Sequence, residues 1–331
     1  MRYFVGLLIL FFTVFAGAAS DPLPSWKEGD VKQSILKFVS DVTTAGGPRF
    51  VKVADRIATF DNDGTLWSEV PTVEVEFTKM RLKEVLDTNP ALKNREPYKS
   101  LLAKGKAAIP MLTQEQILDI MSTTHSGMTE EEFARETTEF FAKARHPKLK
   151  VPYTQTTYKP MLELMSYLRN NDFKVFISSG GDLSFMRVVA NNIYGVPPEN
   201  TIGSFFKDKT IERNGKLEIE RTAQLEMIND KEGKPVGIVR HIGKRPIFSA
   251  GNVRSGGDVE HLRYSSEGKG PSLQLMINHD DAVREAAYQE KDNRSLNAAK
   301  KYKWKVVSMK NDWREIYSFP QLDEVASGPH N

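Results

Sequence analysis

The apolar residues of the chain fall into short runs that predict a parallel β-sheet. Five of these runs are five or six residues long, largely apolar, and rich in Val, Ile and Phe. Runs that do not alternate with polar residues are typical of strands covered on both faces, as in parallel sheets. The five runs are RIATF (56–60), KVFISS (174–179), RPIFSA (245–250), LQLMIN (273–278) and WKVVSM (304–309).

Helical patterns lie between these runs, and they indicate the fold class. KPMLELMSYLRNN (159–171) has apolar residues at helical spacing and leads directly into the second run. Strands that alternate with helices predict a doubly wound α/β sheet, in which ligands bind at the carboxyl ends of the strands. IERNGKLEIE (211–220) is an exception, because Asn-Gly between two alternating runs predicts a β-hairpin.

The first two predicted strands are too far apart in sequence for a simple connection. Residues 68–155 contain at least three helical patterns, two of which begin with a capping box. We therefore predict that residues 68–155 form a helical cap inserted into an α/β core of residues 21–67 and 156–331. The three patterns are VEVEFTKMRLKEVL (73–86) and those that start at TQEQ (113–116) and TEEE (129–132).

The first twenty residues predict a secretory signal peptide. MRYFVGLLILFFTVFAGAAS has one early cation, an apolar stretch, and small residues where a signal peptidase would cut, after Ala18 or Ser20. The alternative is an uncleaved membrane anchor, but the apolar stretch is shorter than the roughly 20 residues that a spanning helix needs. We expect a periplasmic or secreted protein with no membrane association after cleavage.

Composition narrows the classes of function only slightly. The chain of 331 residues has no cysteine, so an exported form must be stabilised by its hydrophobic core alone. The formal net charge is +3, which becomes +2 when Arg2 leaves with the signal peptide. This small charge, without a basic run interleaved with aromatic residues, does not indicate nucleic-acid binding. The sequence does not predict the oligomeric state.

The most informative motif is FDNDGTLW (60–67), which places Asp61 and Asp63 directly after the first predicted strand. A carboxylate there can attack a phosphate, provided that a divalent cation reduces the repulsion between the two negative charges. Mg²⁺ prefers oxygen ligands of this kind, and the second aspartate can protonate the departing alkoxide. The alternative is a loop in which the two carboxylates merely cap a turn.

FDNDGTLW resembles the first signature of the haloacid dehalogenase-like (HAD) hydrolase superfamily, and VFISSGGD (175–182) resembles the second, as in its phosphoserine phosphatase branch. The resemblance implies an α/β core with a cap, and a Mg²⁺-dependent phosphomonoester hydrolase that acts through an aspartyl-phosphate on a small phosphorylated metabolite. It makes Asp61 the nucleophile and Asp63 the proton donor and acceptor. It places the Ser179 hydroxyl and the Gly180 amide on the phosphoryl group.

The resemblance also implies a lysine that neutralises the phosphoryl oxygens and the nucleophile. Lys234 fits, because Pro235 after it marks a predicted helix start at PVGIVRHI (235–242). Lys244, just before the third predicted strand, is the alternative.

The fourth family motif is altered in AGNVRSGGDVEHL (250–262), where Asn252 replaces the usual aspartate and two extra residues precede Asp258. We expect Asp61, Asp63 and Asn252 to bind Mg²⁺, with Asp258 orienting water and the lysine, although Asp258 could instead be the metal ligand. Because asparagine offers a neutral oxygen, we expect Asn252→Asp to tighten Mg²⁺ binding.

Two further points stay open in the sequence. Asp280 and Asp281, in HDDAVRE (279–285), could reach the site, but acidic residues are also favoured at a helix N-terminus. Two other functions are compatible with the fold. One is dehalogenation, in which Asp61 would attack carbon and Asp63 would have no task. The other is a non-catalytic phosphate-binding or interaction protein, which Asn252 favours.

Overall fold

The computed structural model describes residues 20–254 and 256–319, so the predicted signal peptide lies outside it except for Ser20. The described strands are β1 (Ile57–Phe60), β2 (Lys174–Asp182), β3 (Thr201–Arg213), β4 (Lys216–Met227), β5 (Phe248–Asn252), β6 (Leu273–Asn278) and β7 (Lys305–Ser308). The described α-helices are α1 (Asp30–Thr43), α2 (Val73–Thr88), α3 (Tyr98–Lys104), α4 (Gln114–His125), α5 (Glu130–Lys143), α6 (Lys159–Asn170), α7 (Leu183–Tyr194), α8 (Gly233–Ile242), α9 (Val259–Ser266), α10 (Arg294–Tyr302) and α11 (Met309–Asp312). Short 3-10 helices occupy Val53–Asp55, Pro90–Asn94, Gly105–Met111, Tyr153–Gln155 and Pro198–Asn200.

The strands form one mostly parallel sheet, and the predicted doubly wound α/β fold is confirmed. Their order is β4-β3-β2-β1-β5-β6-β7, with only the β3–β4 pair antiparallel. The chain moves outward from β1 through β2 and β3, and then returns to the other side of β1 to form β5. Right-handed crossovers in the two directions place helices on opposite faces of the sheet. The strand order therefore reverses at β1, where such sheets bind ligands.

All five predicted strands are present, and the two beside the reversal point are buried on both faces. Each residue of β1 and of β5 is buried, which explains why these runs do not alternate with polar residues. Helices α2, α4 and α5 begin as predicted, and α4 and α5 have capping boxes at Thr113 and Thr129. Aromatic side chains of α2 and α5 pack in the same hydrophobic core as the sheet. The division into a core and a cap at residues 68–155 stays a prediction.

The predicted hairpin is formed by β3 and β4, and it reaches the helices that precede α6. Asn214 and Gly215 both have positive φ angles, 54° and 73°, as the tight turn between the strands requires. On β4, the amide of Arg221 donates to the carbonyl of Met128, and the Arg221 carbonyl accepts from Gly127, each across 2.9 Å. The hairpin is thus hydrogen-bonded to the segment that connects α4 and α5.

One predicted helix start was wrong by two residues, and one alternative that the sequence left open does not hold. Helix α8 begins at Gly233 rather than Pro235, so the proline lies within the first turn, where helical amides need no partner in the helix. No helix begins in residues 279–285. Asp281 instead accepts hydrogen bonds from the amides of Val283 and Arg284 and forms a turn. Among the described residues, no helix is both long enough and apolar enough to span a membrane.

Candidate functional site

A cavity of about 440 Å³ lies at the carboxyl ends of β1, β2 and β5, on the reversal point of the sheet. Residues of α2 and α4 form its other side. Six of the seven residues singled out from the sequence for catalysis, phosphate binding or metal binding line this one cavity. They are Asp61, Asp63, Gly180, Lys234, Asn252 and Asp258.

Lys234 joins two of the carboxylates. Its ammonium donates to Oδ1 of Asp61 across 2.5 Å and to Oδ1 of Asp258 across 2.6 Å. All three side chains are buried, and the first turn of α8 brings the lysine to the end of β1. The alternative lysine, Lys244, binds the Ala54 carbonyl and Asp55, which precede β1. The geometry therefore favours Lys234 over Lys244 as the lysine of the site.

The charges in this group are not balanced by the protein alone. Burial and the nearby Asp258 charge raise the pKa of Asp61 well above its ordinary value. Burial by itself would raise the pKa of Asp258, but Lys234 and His261 outweigh it and lower that pKa to about 2. With Asp63, the group has three carboxylates and one ammonium, which gives a formal charge of −2 when all are ionised (−3 + 1). One divalent cation would neutralise this charge.

Asp63 is held by Trp67, the last residue of the FDNDGTLW motif. The indole Nε1 donates to Oδ1 of Asp63 across 2.9 Å. Trp67 is buried and packs against Phe141 of α5 and Tyr194 of α7, with ring centroids 6.1 and 6.3 Å away. Burial also raises the pKa of Asp63 above its ordinary value. A carboxyl group whose pKa is raised is better suited to donating a proton than an ordinary aspartate.

The predicted phosphate loop lies at the end of β2, but the helix after it is already capped. Oδ1 of Asp182 accepts from the amides of Ser184 and Phe185, the first amides of α7. A phosphate would therefore meet the Gly180 region rather than the helix N-terminus. Ser179 is fully buried, is not among the lining residues, and accepts the amide of Gly181 on its hydroxyl oxygen.

The orientation of Asn252 is fixed by a residue that the sequence analysis missed. Nδ2 of Asn252 donates to Oε1 of Glu69 across 2.8 Å and lies 3.1 Å from the Tyr288 hydroxyl. Glu69 forms an ion pair of 2.6 Å with Arg254, and an ionised carboxylate can only accept. The carbonyl oxygen of Asn252 is therefore turned away from Glu69. Glu69 lies only a few residues after the aspartate motif, and this closeness in sequence is the signal that could have identified it as a candidate site residue.

Asp258 has a different set of contacts from Asn252. Its Oδ2 accepts the backbone amide of Asn252 across 3.1 Å, while Oδ1 contacts Lys234 and, at 3.2 Å, Nδ1 of His261. Nε2 of His261 lies 2.8 Å from the Thr59 hydroxyl, so both nitrogens of this buried histidine have a partner. With both oxygens engaged in this way, Asp258 is placed to orient Lys234.

Asp280 and Asp281 do not line the cavity. Asp280 accepts from the Ser308 hydroxyl at 2.6 Å and from the Lys310 amide at 3.1 Å, and Asp281 forms an ion pair with Arg284. Their segment instead supports the loop after β1 through a different residue, His279. Nε2 of His279 lies 2.7 Å from the carbonyl oxygen of Gly64.

A second acidic residue that the sequence analysis missed, Glu74 of α2, also lines the cavity. Its Oε2 accepts a hydrogen bond from the Asp182 amide at 3.0 Å. Its Oε1 lies 3.8 Å from Nε2 of His125, and neither Oε1 nor this Nε2 has a hydrogen-bond partner. The Thr124 hydroxyl donates to the Ile120 carbonyl, so it accepts from Nδ1 of His125, which leaves Nε2 without a proton. Burial raises the pKa of Glu74 to about 8.

The donor atoms in the cavity suit a hard cation, although they are few. Among residues 20–254 and 256–319, no group of three or more His, Cys, Asp or Glu side chains is arranged to hold a metal ion. The predicted ligands are two carboxylates, Asp61 and Asp63, and the amide oxygen of Asn252. Mg²⁺ commonly binds to one or two protein carboxylates and completes its shell with water and substrate oxygens. The residues therefore fit Mg²⁺ by donor type and by charge.

Comparison with known proteins shows the fold but no family. No protein-family model matches the chain, and no curated protein matches it. A conserved protein of unknown function from Anaerococcus prevotii DSM 20548 has a solved structure that is 14% identical, with a TM-score of 0.50, covering 84% of this chain and 91% of that one. A phosphoserine phosphohydrolase-like protein from Francisella tularensis subsp. tularensis SCHU S4 is 15% identical, with a TM-score of 0.41, covering 78% and 95%. The likeness to the first of these shows a shared fold.

Proposed function

We propose that the protein is a Mg²⁺-dependent phosphomonoesterase of the HAD superfamily that acts on a small phosphorylated metabolite. The observation that carries the proposal is the bridge from the Lys234 ammonium to Asp61 and Asp258, in the cavity that Asp63 and Gly180 also line. A lysine in this position can neutralise the nucleophile and the incoming phosphoryl oxygens together. The cavity volume of about 440 Å³ suits a small molecule.

In the first step, an Asp61 carboxylate oxygen attacks phosphorus, and the bond between phosphorus and the leaving-group oxygen breaks. Asp63 donates its proton to that oxygen, so the leaving group departs as a neutral alcohol. The upward direction of the Asp63 pKa favours the protonated form that this step requires. The product of the step is an aspartyl-phosphate on Asp61.

In the second step, water attacks the phosphorus of the aspartyl-phosphate. Asp63, now ionised, takes a proton from that water, and the bond from phosphorus to the Asp61 oxygen breaks. Inorganic phosphate leaves, Asp61 is again a carboxylate, and Asp63 is again protonated. One water molecule is consumed for each ester hydrolysed, and the enzyme is unchanged.

The remaining residues hold the phosphoryl group in place. Bound Mg²⁺ would offset the negative charge shared by the nucleophile and the phosphoryl oxygens. Asp61, Asp63 and Asn252 would hold it. The Lys234 ammonium would neutralise negative charge on another side of the phosphoryl group. The Gly180 amide and the Ser179 hydroxyl are the proposed hydrogen-bond donors to its oxygens from the loop after β2.

The other two functions have less support. Attack on carbon, as in dehalogenation, gives no task to Asp63, yet Trp67 holds its half-buried carboxyl group in the cavity. A non-catalytic protein would not need the two buried carboxylates that flank Lys234, because such a group is costly to maintain. Both remain outcomes of the test below.

Hydrolysis of 4-nitrophenyl phosphate, with Mg²⁺ and with a chelator, tests the proposal. We expect turnover only with Mg²⁺, and a loss of about 10²-fold or more in Lys234→Gln. Lys244→Gln is the matched control, because it removes the same charge outside the cavity and should retain wild-type turnover. No turnover in the wild-type protein, or an equal loss in the two variants, contradicts the proposal.

The proposal also includes export. The predicted signal peptide would place this activity in the periplasm or outside the cell, and the mature protein would begin near residues 19 to 21. Mass spectrometry of protein recovered from the exported fraction measures that N-terminus directly. A species that retains Met1 there contradicts the prediction.

A further inference from the structure

The cavity has two chemically different sides. The side formed by the ends of the strands carries most of the charged residues, whereas the facing side carries apolar side chains together with Thr78 and Glu74. The residues of this apolar wall are Val75 and Thr78 of α2, Ile117 and Met121 of α4, and Ile228, which follows β4. Asp61 and this wall line the same cavity, so an ester whose phosphoryl group binds at Asp61 has the wall within the same space.

Three large side chains of the apolar wall are exposed. The exposed fractions are 43% for Val75, 46% for Ile117 and 44% for Ile228. Ile117 and Met121 are four residues apart on α4 and share one face of the helix. The Thr78 hydroxyl lies 3.7 Å from the sulfur of Met121, so α2 and α4 form a continuous surface. Apolar area left exposed inside a cavity is typical of a ligand-binding surface.

The cations that line the cavity are already paired. Lys234 binds Asp61 and Asp258, and Arg254 forms an ion pair of 2.6 Å with Glu69. Among the lining residues that the structure describes, no other lysine or arginine is present. A carboxylate on the leaving group would therefore lose water against the apolar wall without gaining a counter-charge, which is unfavourable.

We propose that the natural leaving group is an apolar alcohol without a carboxylate, so that the substrate is an alkyl or aryl phosphate whose ester group binds the apolar wall. This rests on the proposed phosphomonoesterase function and specifies its substrate class. The expectation differs from that for a phosphoserine phosphatase, whose substrate carries a carboxylate and an ammonium group on the leaving group. The charge on Glu74 does not oppose it near neutral pH, because burial raises the pKa of Glu74 to about 8.

The test compares kcat/KM for hexyl, butyl and ethyl phosphate with that for O-phosphoserine, all in the presence of Mg²⁺. We expect kcat/KM to rise with chain length by up to about fourfold for each buried methylene, and hexyl phosphate to exceed O-phosphoserine. The serine hydroxyl is a better leaving group than an alkanol. A preference for hexyl phosphate therefore cannot arise from leaving-group chemistry.

A variant tests the position of the leaving group. Ile117→Lys places a cation in the apolar wall, so it should lower kcat/KM for hexyl phosphate and raise it for O-phosphoserine, each by about tenfold. Ile117→Ser, which adds no charge, should lower the value for hexyl phosphate alone. Leu217→Lys is the matched control, since Leu217 is 76% exposed on the hairpin and outside the cavity. It should change neither value.

The outcomes separate this proposal from the one on which it rests. If 4-nitrophenyl phosphate is hydrolysed but O-phosphoserine equals or exceeds hexyl phosphate, the apolar leaving group is wrong and the phosphomonoesterase function stands. The same conclusion follows if Ile117→Lys changes both substrates equally. If no monoester is hydrolysed with or without Mg²⁺, both proposals are overturned.

Discussion

Asn252 donates its side-chain amide to Glu69, with 2.8 Å between Nδ2 and Oε1. The hydrogen bond links the end of β5 to the loop after β1, and it turns the carbonyl oxygen of Asn252 away from Glu69. The loop leaves little room for any other arrangement. A Cβ atom on Gly64, whose φ angle is +70°, would lie 1.9 Å from Nδ2 of Asn252 and 2.7 Å from Oε1 of Glu69. An asparagine at position 252 is therefore matched to a glutamate at position 69.

This hydrogen bond changes the expected effect of Asn252→Asp on the affinity for Mg²⁺. From the sequence alone, the added charge should tighten Mg²⁺. In the structure, the new carboxylate would face Glu69 at about hydrogen-bond distance without a proton to share, so we expect no tightening. Asn252→Asp combined with Glu69→Gln keeps the total charge and restores the hydrogen bond. We expect this double variant to bind Mg²⁺ at least as tightly as the wild-type protein.

Titration calorimetry with Mg²⁺ measures these affinities without turnover. Asn252→Ala is the control for loss of the ligand oxygen and should weaken binding. If Asn252→Asp alone binds Mg²⁺ about tenfold more tightly and Glu69→Gln adds nothing, Glu69 does not set the role of Asn252.

Glu74 should make the folded protein less stable as the pH rises. Burial raises its pKa from 4.5 to about 8, so the folded state holds a proton that the unfolded state loses above pH 4.5. The free energy of unfolding then falls between these two pH values, by at most about 1.4 kcal/mol per unit. Glu74→Gln removes this loss, and its amide can donate to the unprotonated Nε2 of His125. We expect the variant to be more stable than wild type, by a margin that grows from pH 5 to pH 8.

Urea denaturation of the metal-free protein at pH 5, 7 and 9 measures this margin. Glu76→Gln is the matched control, because Glu76 lies on the same helix and pairs with Lys79 at the surface. Its effect should be small at every pH. A margin for Glu74→Gln that stays constant across the range would show that Glu74 is ionised in the folded protein.

Arg221 should be the most important single residue for holding the hairpin to the rest of the molecule. It is buried, donates Nε to the His125 carbonyl at 2.8 Å, pairs with Asp182 and Glu130, and lies 4.0 Å from the centre of the Phe133 ring. Arg221→Met leaves Asp182 buried without its partner, so we expect a loss of about 3–5 kcal/mol in the free energy of unfolding.

Two further variants separate the charge from the packing. Asp182→Asn keeps the oxygen that caps α7, so adding it to Arg221→Met should recover part of the loss. Arg213→Met removes an arginine from the same hairpin, but that arginine is 40% exposed, and its pair with Glu132 should contribute no more than about 1 kcal/mol. Equal losses in the two arginine variants would contradict the role of Arg221.

The strands and the strand-end residues could be predicted because their signals are local. FDNDGTLW and the run before it place Asp61 and Asp63 at the end of a buried strand by sequence alone. Lys234 could be placed at a helix start for the same reason, with an error of two residues in where the helix begins. In each case the decisive residues are neighbours in the chain.

The partners of these residues could not be predicted, because they depend on the three-dimensional packing. Glu69 and Asn252 are 183 residues apart in sequence, and no pattern in either segment indicates that they are hydrogen-bonded. Asp280 and Asp281 follow a strand as active-site residues often do, yet Asp280 binds the Ser308 hydroxyl and the Lys310 amide, and Asp281 binds Arg284. The order of elements in the sequence correctly placed them after the carboxyl end of a strand, but it could not show which way their side chains point.

If Asp61 is the nucleophile, it forms a covalent bond to phosphorus, and that bond can be trapped. The protein is mixed with 4-nitrophenyl phosphate and Mg²⁺, quenched in acid within one turnover, treated with borohydride and analysed by peptide mass spectrometry. Borohydride reduces an acyl phosphate to an alcohol, so we predict homoserine at position 61 in the wild-type protein, and none in Asp61→Asn. Rapid hydrolysis with an unmodified aspartate at position 61, or homoserine at another position, would contradict the claim.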